Sequence, residues 1–171
     1  LSIAPSHLNQ DIIWVGTDDG QLQITRDSGK KWKNVTSQIK GLPKESWIAR
    51  IHASRYEEGT AWIVANNYRK GDYRPFLFKT TDYGKSWTSI VDKTDVKGYT
   101  LSFIQDPINE KLLFLGTENG LWVSINEGES WTKFKKSKQS YSNHKVKCII
   151  FYLFAQPIFS EVVLPKRFLI F

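Results

Sequence analysis

Methionine is absent from the chain and cysteine occurs once, at Cys148. A single cysteine excludes a disulfide within the chain and a zinc site built on cysteine pairs. A lone cysteine is more often a buried apolar side chain than a nucleophile. No segment shows a sustained helical period, so we expect almost no helix. The apolar stretch 148–159 is interrupted by Gln156 and Pro157 and is shorter than the about 20 residues of a membrane span.

Over most of the chain there is also little excess of either positive or negative charge. Residues 1–128 hold 16 Lys and Arg against 15 Asp and Glu, whereas residues 129–171 hold 8 basic and 2 acidic residues. The net charge of +7 therefore comes almost entirely from the C-terminal part. Because nucleic-acid binding needs a basic face, which the first part lacks, we expect no nucleic-acid partner.

The most informative pattern that is present is Ser/Thr-x-Asp-x-Gly-x-x-Trp, which occurs three times. The copies are residues 25–32, 80–87 and 124–131, the last with Asn126 in place of aspartate. We call them the motif turns. Each copy lies between two apolar, β-branched runs, which is typical of a β-hairpin. The Asp or Asn oxygen can accept backbone N–H groups, and glycine permits positive φ.

Three copies at similar spacing predict a repeat architecture. In each motif turn the tryptophan is expected to fold back and pack on its own sheet. The residues assigned this structural role are Thr25, Asp27, Gly29, Trp32, Thr80, Asp82, Gly84, Trp87, Ser124, Asn126, Gly128 and Trp131.

The motif resembles the Asp box, or BNR repeat, of β-propeller proteins. The three copies start 55 and 44 residues apart, about the length of a four-stranded blade. Residues 47–54, 76–87 and 116–124 look like large bacterial sortilin-like propeller proteins that are often labelled glycosyl hydrolases. The resemblance covers roughly residues 8–134. It implies an all-β fold, an incomplete β-propeller.

Two full four-stranded blades and most of another are expected in residues 1–134. For the first blade we predict only three strands, with the innermost strand lying upstream of Leu1. Because a closed ring needs about four to eight blades, the remaining blades of a parent protein are expected partners. The predicted strands are 12–16, 22–26 and 32–35, then 48–54, 61–65, 76–80 and 87–91, then 100–105, 112–116, 121–125 and 131–134.

Residues 135–171 differ from the repeats. They contain neither Gly nor Asp, and they run from a lysine-rich segment into Ile, Phe, Leu and Val. Two interpretations stay open: the beginning of a further blade, or an atypical basic and apolar tail foreign to the propeller, for example the product of a frameshift. Since turn residues are lost, we predict no regular fourth blade here.

No catalytic residue, metal ligand or cofactor site is predicted. A sialidase would need an arginine triad, and Arg50, Arg69 and Arg74 lie in no motif that identifies one. A glycosidase needs two carboxylates about 5–10 Å apart. The available loop acids cannot be paired from sequence; they are Asp72, Asp92, Asp95 and Asp106.

One segment is a candidate for recognition. Residues 66–75 form a polar and aromatic connection between the second and third strands of the complete blade, where the two counterparts are short glycine turns. Connections longer than the chain needs are often functional, although an ordinary surface insertion is the alternative. The candidate ligand-contacting residues are Tyr68, Arg69, Asp72, Tyr73 and Arg74.

The resemblance implies an extracytoplasmic or secreted module that binds protein or glycan without catalysis of its own. The alternative is part of a glycoside hydrolase resembling two-propeller xyloglucan-active enzymes, with its catalytic acids outside this chain. The chain itself carries no targeting signal that would decide the location.

Overall fold

The computed structural model describes residues 1–134; the predictions made for residues 135–171 fall outside the described part. Twelve strands form three antiparallel sheets, each a meander of four consecutive strands, which we call blades 1, 2 and 3. Blade 1 contains β1 Ser2–Pro5, β2 Ile13–Gly16, β3 Leu22–Thr25 and β4 Trp32–Asn34. Blade 2 contains β5 Trp47–Ala53, β6 Ala61–Asn67, β7 Asp72–Thr80 and β8 Thr88–Ser89. Blade 3 contains β9 Thr100–Gln105, β10 Leu113–Thr117, β11 Gly120–Ser124 and β12 Thr132–Lys133.

The only helical segments among residues 1–134 are two single 3-10 turns, Thr36–Gln38 and Tyr68–Lys70. The expected all-β class is therefore confirmed. Successive side chains of a strand point to opposite faces of the sheet. Short runs of alternating apolar residues therefore form strands here, because one face of each run can be buried.

The first blade corrects the sequence prediction. Its innermost strand does not lie upstream of the chain: β1 pairs with β2 in the register Ser2↔Gly16 to Pro5↔Ile13. The segment is four residues long and ends in proline, which is a poor signal for a strand. Proline, which has no backbone N–H, is tolerated because β1 is an edge strand of its sheet and no further strand needs a donor on that side. All three blades therefore have four strands.

Blade 2 lies between the other two and is buried on both faces. Its strand β6 is buried at every position from Ala61 to Asn66. On one face, Ile63 belongs to an apolar cluster with Trp14 and Leu22 of blade 1. On the other face, Trp62 and Val64 belong to a cluster with apolar residues of blade 3, which are Phe103, Leu113, Leu115 and Trp122. Strand alternation thus sends neighbouring residues of β6 into two separate interfaces.

Candidate ligand-binding face

The three motif turns share one hydrogen-bond pattern. The Asp or Asn Oδ1 atom accepts the N–H group of the residue four positions later, at 2.8 Å from Lys31, 2.9 Å from Ser86 and 3.1 Å from Ser130. The hydroxyl of the first motif residue accepts the glycine N–H at 2.8–3.0 Å and donates to the same Asp or Asn oxygen. The prediction that Asp27, Asp82 and Asn126 accept backbone hydrogen bonds within their hairpins is confirmed.

These hydrogen bonds also set the ionisation of the motif acids. The backbone N–H of Lys31 and the hydroxyl of Thr25 lower the pKa of Asp27. Burial raises the pKa of Asp82, but hydrogen bonds from Ser86 and Thr80 outweigh it, so the net pKa is lowered. Both carboxylates therefore stay ionised, which suits a turn and not a general acid.

Replacing Asp82 by alanine is expected to lower the free energy of unfolding by about 1–2 kcal/mol, because the N–H of Ser86 loses its acceptor. Asp82→Asn is the matched control, since Asn126 makes the same contact in the third motif turn. It should lose less than about 0.5 kcal/mol. Urea unfolding of both variants measures the difference; equal losses would mean that the acceptor oxygen is not what matters.

From the sequence we expected each motif tryptophan to pack on its own blade. Two of the three also contact the preceding blade or the connection that follows it. Trp87 meets Trp14 of blade 1 edge to face, with 5.9 Å between ring centroids. The Nε1 group of Trp131 donates to the carbonyl of Ile90, in the connection that follows blade 2, at 2.7 Å. Trp87 and Trp131 are 8% exposed, whereas Trp32, with no blade before it among residues 1–134, is 43% exposed. The second and third motif turns therefore join each blade to the preceding one.

The segment 66–75 lies at the other end of the strands. Each motif turn connects a third strand to a fourth, whereas this segment connects the second strand of blade 2 to the third. In an antiparallel meander these two kinds of connection are at opposite ends. The second motif turn and the segment 66–75 therefore occupy opposite ends of blade 2.

The segment 66–75 is not the long loop that we predicted. Strand β6 extends to Asn67 and β7 starts at Asp72, so the connection is one 3-10 turn followed by Gly71 at φ 77°. Gly71 needs its freedom here because positive φ is strained for other residues. The extra residues therefore lengthen the hairpin instead of forming a long loop.

Blade 3 anchors this hairpin. The register between β6 and β7 shifts between Ala65 and Asn67, which interrupts their ladder. The Thr100 hydroxyl fills the interruption, with contacts of 2.7 Å to the Ala65 carbonyl and 2.9 Å to the Phe76 carbonyl. The buried Asn66 amide donates back to the Thr100 carbonyl at 3.2 Å. Side chains carried by the hairpin are therefore held in place relative to two blades.

Aromatic and cationic side chains meet on this hairpin. Tyr68 stacks on Tyr99 with 4.8 Å between centroids, and Tyr73, 58% exposed, lies 6.1 Å from Tyr99. The Arg69 guanidinium lies 4.9 Å from the Trp47 ring and 5.9 Å from the Tyr68 ring. We call Trp47, Tyr68, Arg69, Tyr73 and Tyr99 the aromatic cradle. Such a surface offers large apolar area with polar tips, a combination enriched at interfaces.

A polar cavity of about 370 Å³ adjoins the aromatic cradle. It is lined by acids, amides and two cations from blades 1 and 2 and their connection, namely Asp18, Asp19, Gln21, Glu45, Trp47, Asn66, Asn67, Arg69 and Lys70. The Lys70 ammonium pairs with Glu45 at 2.6 Å and lowers the pKa of that carboxyl. The cavity therefore offers acceptors for a cation and amides for a peptide or hydroxyl group.

Two of the predicted contact residues are used within the hairpin. Asp72 accepts from Arg74 in a bidentate pair, at 2.9 Å to Nε and 2.7 Å to Nη2. This pair lowers the pKa of Asp72. The structure thus brings Tyr68, Arg69 and Tyr73 together, and it leaves Asp72 and Arg74 as each other's partners.

The other candidate acids act in turns. The Asp106 carboxylate accepts the N–H groups of Ile108 and Asn109, both at 2.8 Å. Asp92 accepts the Thr94 N–H at 2.6 Å, which lowers the Asp92 pKa. Across residues 1–134, no group of three or more His, Cys, Asp and Glu is arranged to hold a metal ion. No helix within that range has the length and apolar character of a membrane span.

Trp47 and Tyr99 were missed from sequence. Both lie in or beside the connections that lead into the first strands of blades 2 and 3. In an antiparallel meander these connections share an end with the hairpin between the second and third strands. Aromatic residues just before each first strand were therefore an available signal.

Comparison with known proteins places the fold. No family model matches the chain. Over 128 residues, 74% of this chain, it is 28% identical to rat sortilin, of which it covers 15%. Over 106 residues, 61% of the chain, it is 28% identical to an oligoxyloglucan-reducing end-specific xyloglucanase of Emericella nidulans, of which it covers 13%. The chain thus spans a small part of these relatives.

Solved structures agree with these relatives. An ancestral GH74 enzyme superposes with a TM-score of 0.61 at 19% identity, covering 80% of this chain and 18% of the enzyme. YCF48 bound to a D1 peptide superposes with a TM-score of 0.57 at 18% identity, covering 78% of this chain and 40% of YCF48. The fold is of the β-propeller type, as the three antiparallel blades and these structural neighbours show. Residues 1–134 form three blades.

Proposed function

We propose that this chain is a binding module that recognises a protein or glycan ligand through the aromatic cradle and the adjoining polar cavity. The observation that carries the proposal is the cluster of aromatic and cationic side chains held between two blades, with Tyr73 58% exposed. Clusters of exposed aromatic side chains on a soluble protein commonly mark a site that a ligand covers.

An extended peptide fits this face best. Two of the three amide side chains that line the cavity, Asn67 and Gln21, can pair with a peptide backbone, while Asp18 and Asp19 can receive a basic side chain. Tyrosine rings provide contact area at a small cost in conformational entropy. The peptide-bound YCF48 structure supports the idea that a propeller of this type can present such a surface.

A peptide selection tests the proposal. A random 12-residue display library is selected on the wild-type chain alone, and binding of the enriched peptide to the wild type and to the Tyr68→Ala/Tyr73→Ala double variant is measured by calorimetry. The double variant is expected to bind about tenfold or more weakly, since exposed aromatic anchors dominate binding energy. Asp72→Asn/Arg74→Gln, which changes the neighbouring ion pair, is the matched control and should bind within about threefold of wild type. Equal binding by all three proteins would refute the proposed site.

A second candidate function, a part of a glycoside hydrolase, is favoured by the xyloglucanase relative and by three acids lining one cavity, Asp18, Asp19 and Glu45. A hydrolase needs one carboxyl with a raised pKa as general acid. The pKa of Glu45 is instead lowered by Lys70. We therefore expect the purified chain to release no reducing sugar from xyloglucan. Release that is abolished by Glu45→Gln would overturn the binding assignment.

We further infer that the motif turns are Asp boxes of a sortilin-like propeller and that the chain works outside the cytoplasm, within a parent protein that supplies further blades. The support is the repeated turn geometry together with the sortilin and xyloglucanase relatives. The parent-protein part of this inference is tested by expressing the chain together with the adjacent segments of its gene product. The longer protein should purify intact and unfold in one cooperative transition.

A further inference from the structure

Two surface grooves occupy equivalent places in the repeat. Each lies between the outer strands of one blade and the motif turn of the next. The groove between blades 1 and 2 has a volume of about 260 Å³ and that between blades 2 and 3 about 730 Å³. We call them groove 1–2 and groove 2–3. The first is lined by Ile24, Arg26, Asp27, Lys31, Trp32, Lys33, Tyr83 and Lys85.

The two grooves have opposite charge. Groove 1–2 contains four cationic side chains, Arg26, Lys31, Lys33 and Lys85, and one carboxylate, Asp27. The corresponding groove 2–3 has one lysine and four acids, which are Asp92, Asp95, Glu127 and Glu129. A structural requirement of the fold would give both grooves the same side chains, so the basic character of groove 1–2 belongs to this blade pair alone.

The cations of groove 1–2 are not neutralised within the described chain. None of the four forms an ion pair among residues 1–134, where the three ion pairs involve Lys70, Arg74 and Lys79. Asp27 supplies one negative charge, which interacts with Lys31, so the four cations leave an excess of three positive charges in the groove. Unpaired cations that converge on one concave surface attract anions and raise their local concentration.

Aromatic rings line the same groove. The Arg26 guanidinium lies 3.9 Å from the centroid of Tyr83, a stacking that leaves its N–H edge free to bind an anion. A guanidinium held on a ring loses little freedom when it binds an anion, which favours a charged group of a ligand at this position.

We propose that groove 1–2 binds an acidic oligosaccharide, whose sulfate or carboxylate groups contact Arg26, Lys31 and Lys33. A short ligand fits because the positive patch ends at the groove. The next groove is acidic, so a long polyanion that followed the rim would be repelled there. Single-stranded nucleic acid needs a basic path along several phosphates, and the near-neutral residues 1–128 do not offer one.

The test is calorimetric titration of the full chain with a sulfated glycosaminoglycan tetrasaccharide at low salt. Lys31→Glu/Lys33→Glu is expected to weaken binding by about tenfold or more, because two charge-assisted contacts become repulsive. Arg26→Gln should weaken binding by at least about threefold, because the charged group held on Tyr83 is lost. Lys40→Glu/Lys44→Glu carries the same change in net charge at exposed positions outside the groove, and it should bind like wild type.

Several results would overturn this site. They are equal weakening by the two lysine double variants, unchanged binding by Arg26→Gln, tighter binding of a single-stranded hexanucleotide than of the tetrasaccharide, or no binding of the tetrasaccharide at all. Tyr68→Ala/Tyr73→Ala, at the opposite end of the strands, should leave tetrasaccharide binding unchanged. The two proposed sites can therefore fail independently.

Discussion

Trp87→Ala is expected to lower the free energy of unfolding by about 3–5 kcal/mol, the usual loss when a large aromatic side chain is removed from a core. Trp87 is 8% exposed and packs against Trp14, which is fully buried. The variant would open a cavity between blades 1 and 2 that neither rigid sheet can close. The loss should appear in urea unfolding followed by circular dichroism.

The repeat supplies the matched control. Trp32→Ala removes the same residue from the same place in the motif, but Trp32 is 43% exposed and has no blade before it in the described chain. It should cost about 1 kcal/mol or less, as surface substitutions usually do. Trp87→Phe keeps an aromatic ring at this position and removes the Nε1 group. Because that group has no hydrogen-bond partner in the described part of the structure, any loss in this variant reports on packing alone. Equal losses for Trp32→Ala and Trp87→Ala would show that the tryptophans do not join blades.

Acidification is expected to destabilise the chain through His52. The imidazole lies between the Trp62 ring, 5.9 Å away, and the Phe103 ring, 5.7 Å away, at the interface of blades 2 and 3. Its Nε2 atom accepts the Gln105 N–H at 3.4 Å, so this nitrogen carries no proton. Burial lowers the His52 pKa to about 3, and His7, Arg50 and Arg55 add to the effect.

The sign follows from the depressed pKa. Between pH 6.5 and about 3 the unfolded chain binds a proton that the folded chain excludes. Stability from His52 is therefore complete above pH 6.5 and is lost as the pH falls, by up to about 1.4 kcal/mol per pH unit while the unfolded chain carries one proton more than the folded chain.

His52→Gln is the test variant, because glutamine can accept the Gln105 N–H but does not titrate. We expect the wild-type free energy of unfolding to fall between pH 6.5 and pH 4.5 and that of His52→Gln to fall less steeply, with the remaining slope due to His7, whose pKa burial also lowers. Carboxyls whose pKa is already low, such as Asp27 and Asp82, contribute only at more acidic pH. Parallel curves for the two proteins would contradict the assignment to His52.

Local chemistry made much of this fold predictable. The motif turns follow from side-chain hydrogen bonds inside eight residues, and the strand β9 was predicted with the bounds that it has, Thr100–Gln105. Residue types that fit only one local geometry leave little choice to the rest of the molecule. The weak strand β1 could not be seen, because it is held by pairing with β2 and its own four residues carry little signal.

The candidate site was predictable only in part. Tyr68, Arg69 and Tyr73 are close in sequence, but Trp47 and Tyr99 reach the same surface from other connections, through packing of whole blades. The length of segment 66–75 suggested a loop, because nothing local shows that the Thr100 hydroxyl satisfies the bulge and lets the strands continue. The charge difference between the two grooves likewise depends on which blades are neighbours.

The most direct test of the central claim is hydroxyl-radical footprinting of the wild-type chain with and without the selected peptide. Oxidation rates of individual aromatic side chains are read by mass spectrometry. Binding at the aromatic cradle should protect Trp47, Tyr68, Tyr73 and Tyr99 and leave Trp32 and Tyr83, at the opposite end of the strands, as reactive as before. Protection of Trp32 and Tyr83 with an unchanged aromatic cradle would contradict the claim that this chain binds its partner through the hairpin of blade 2.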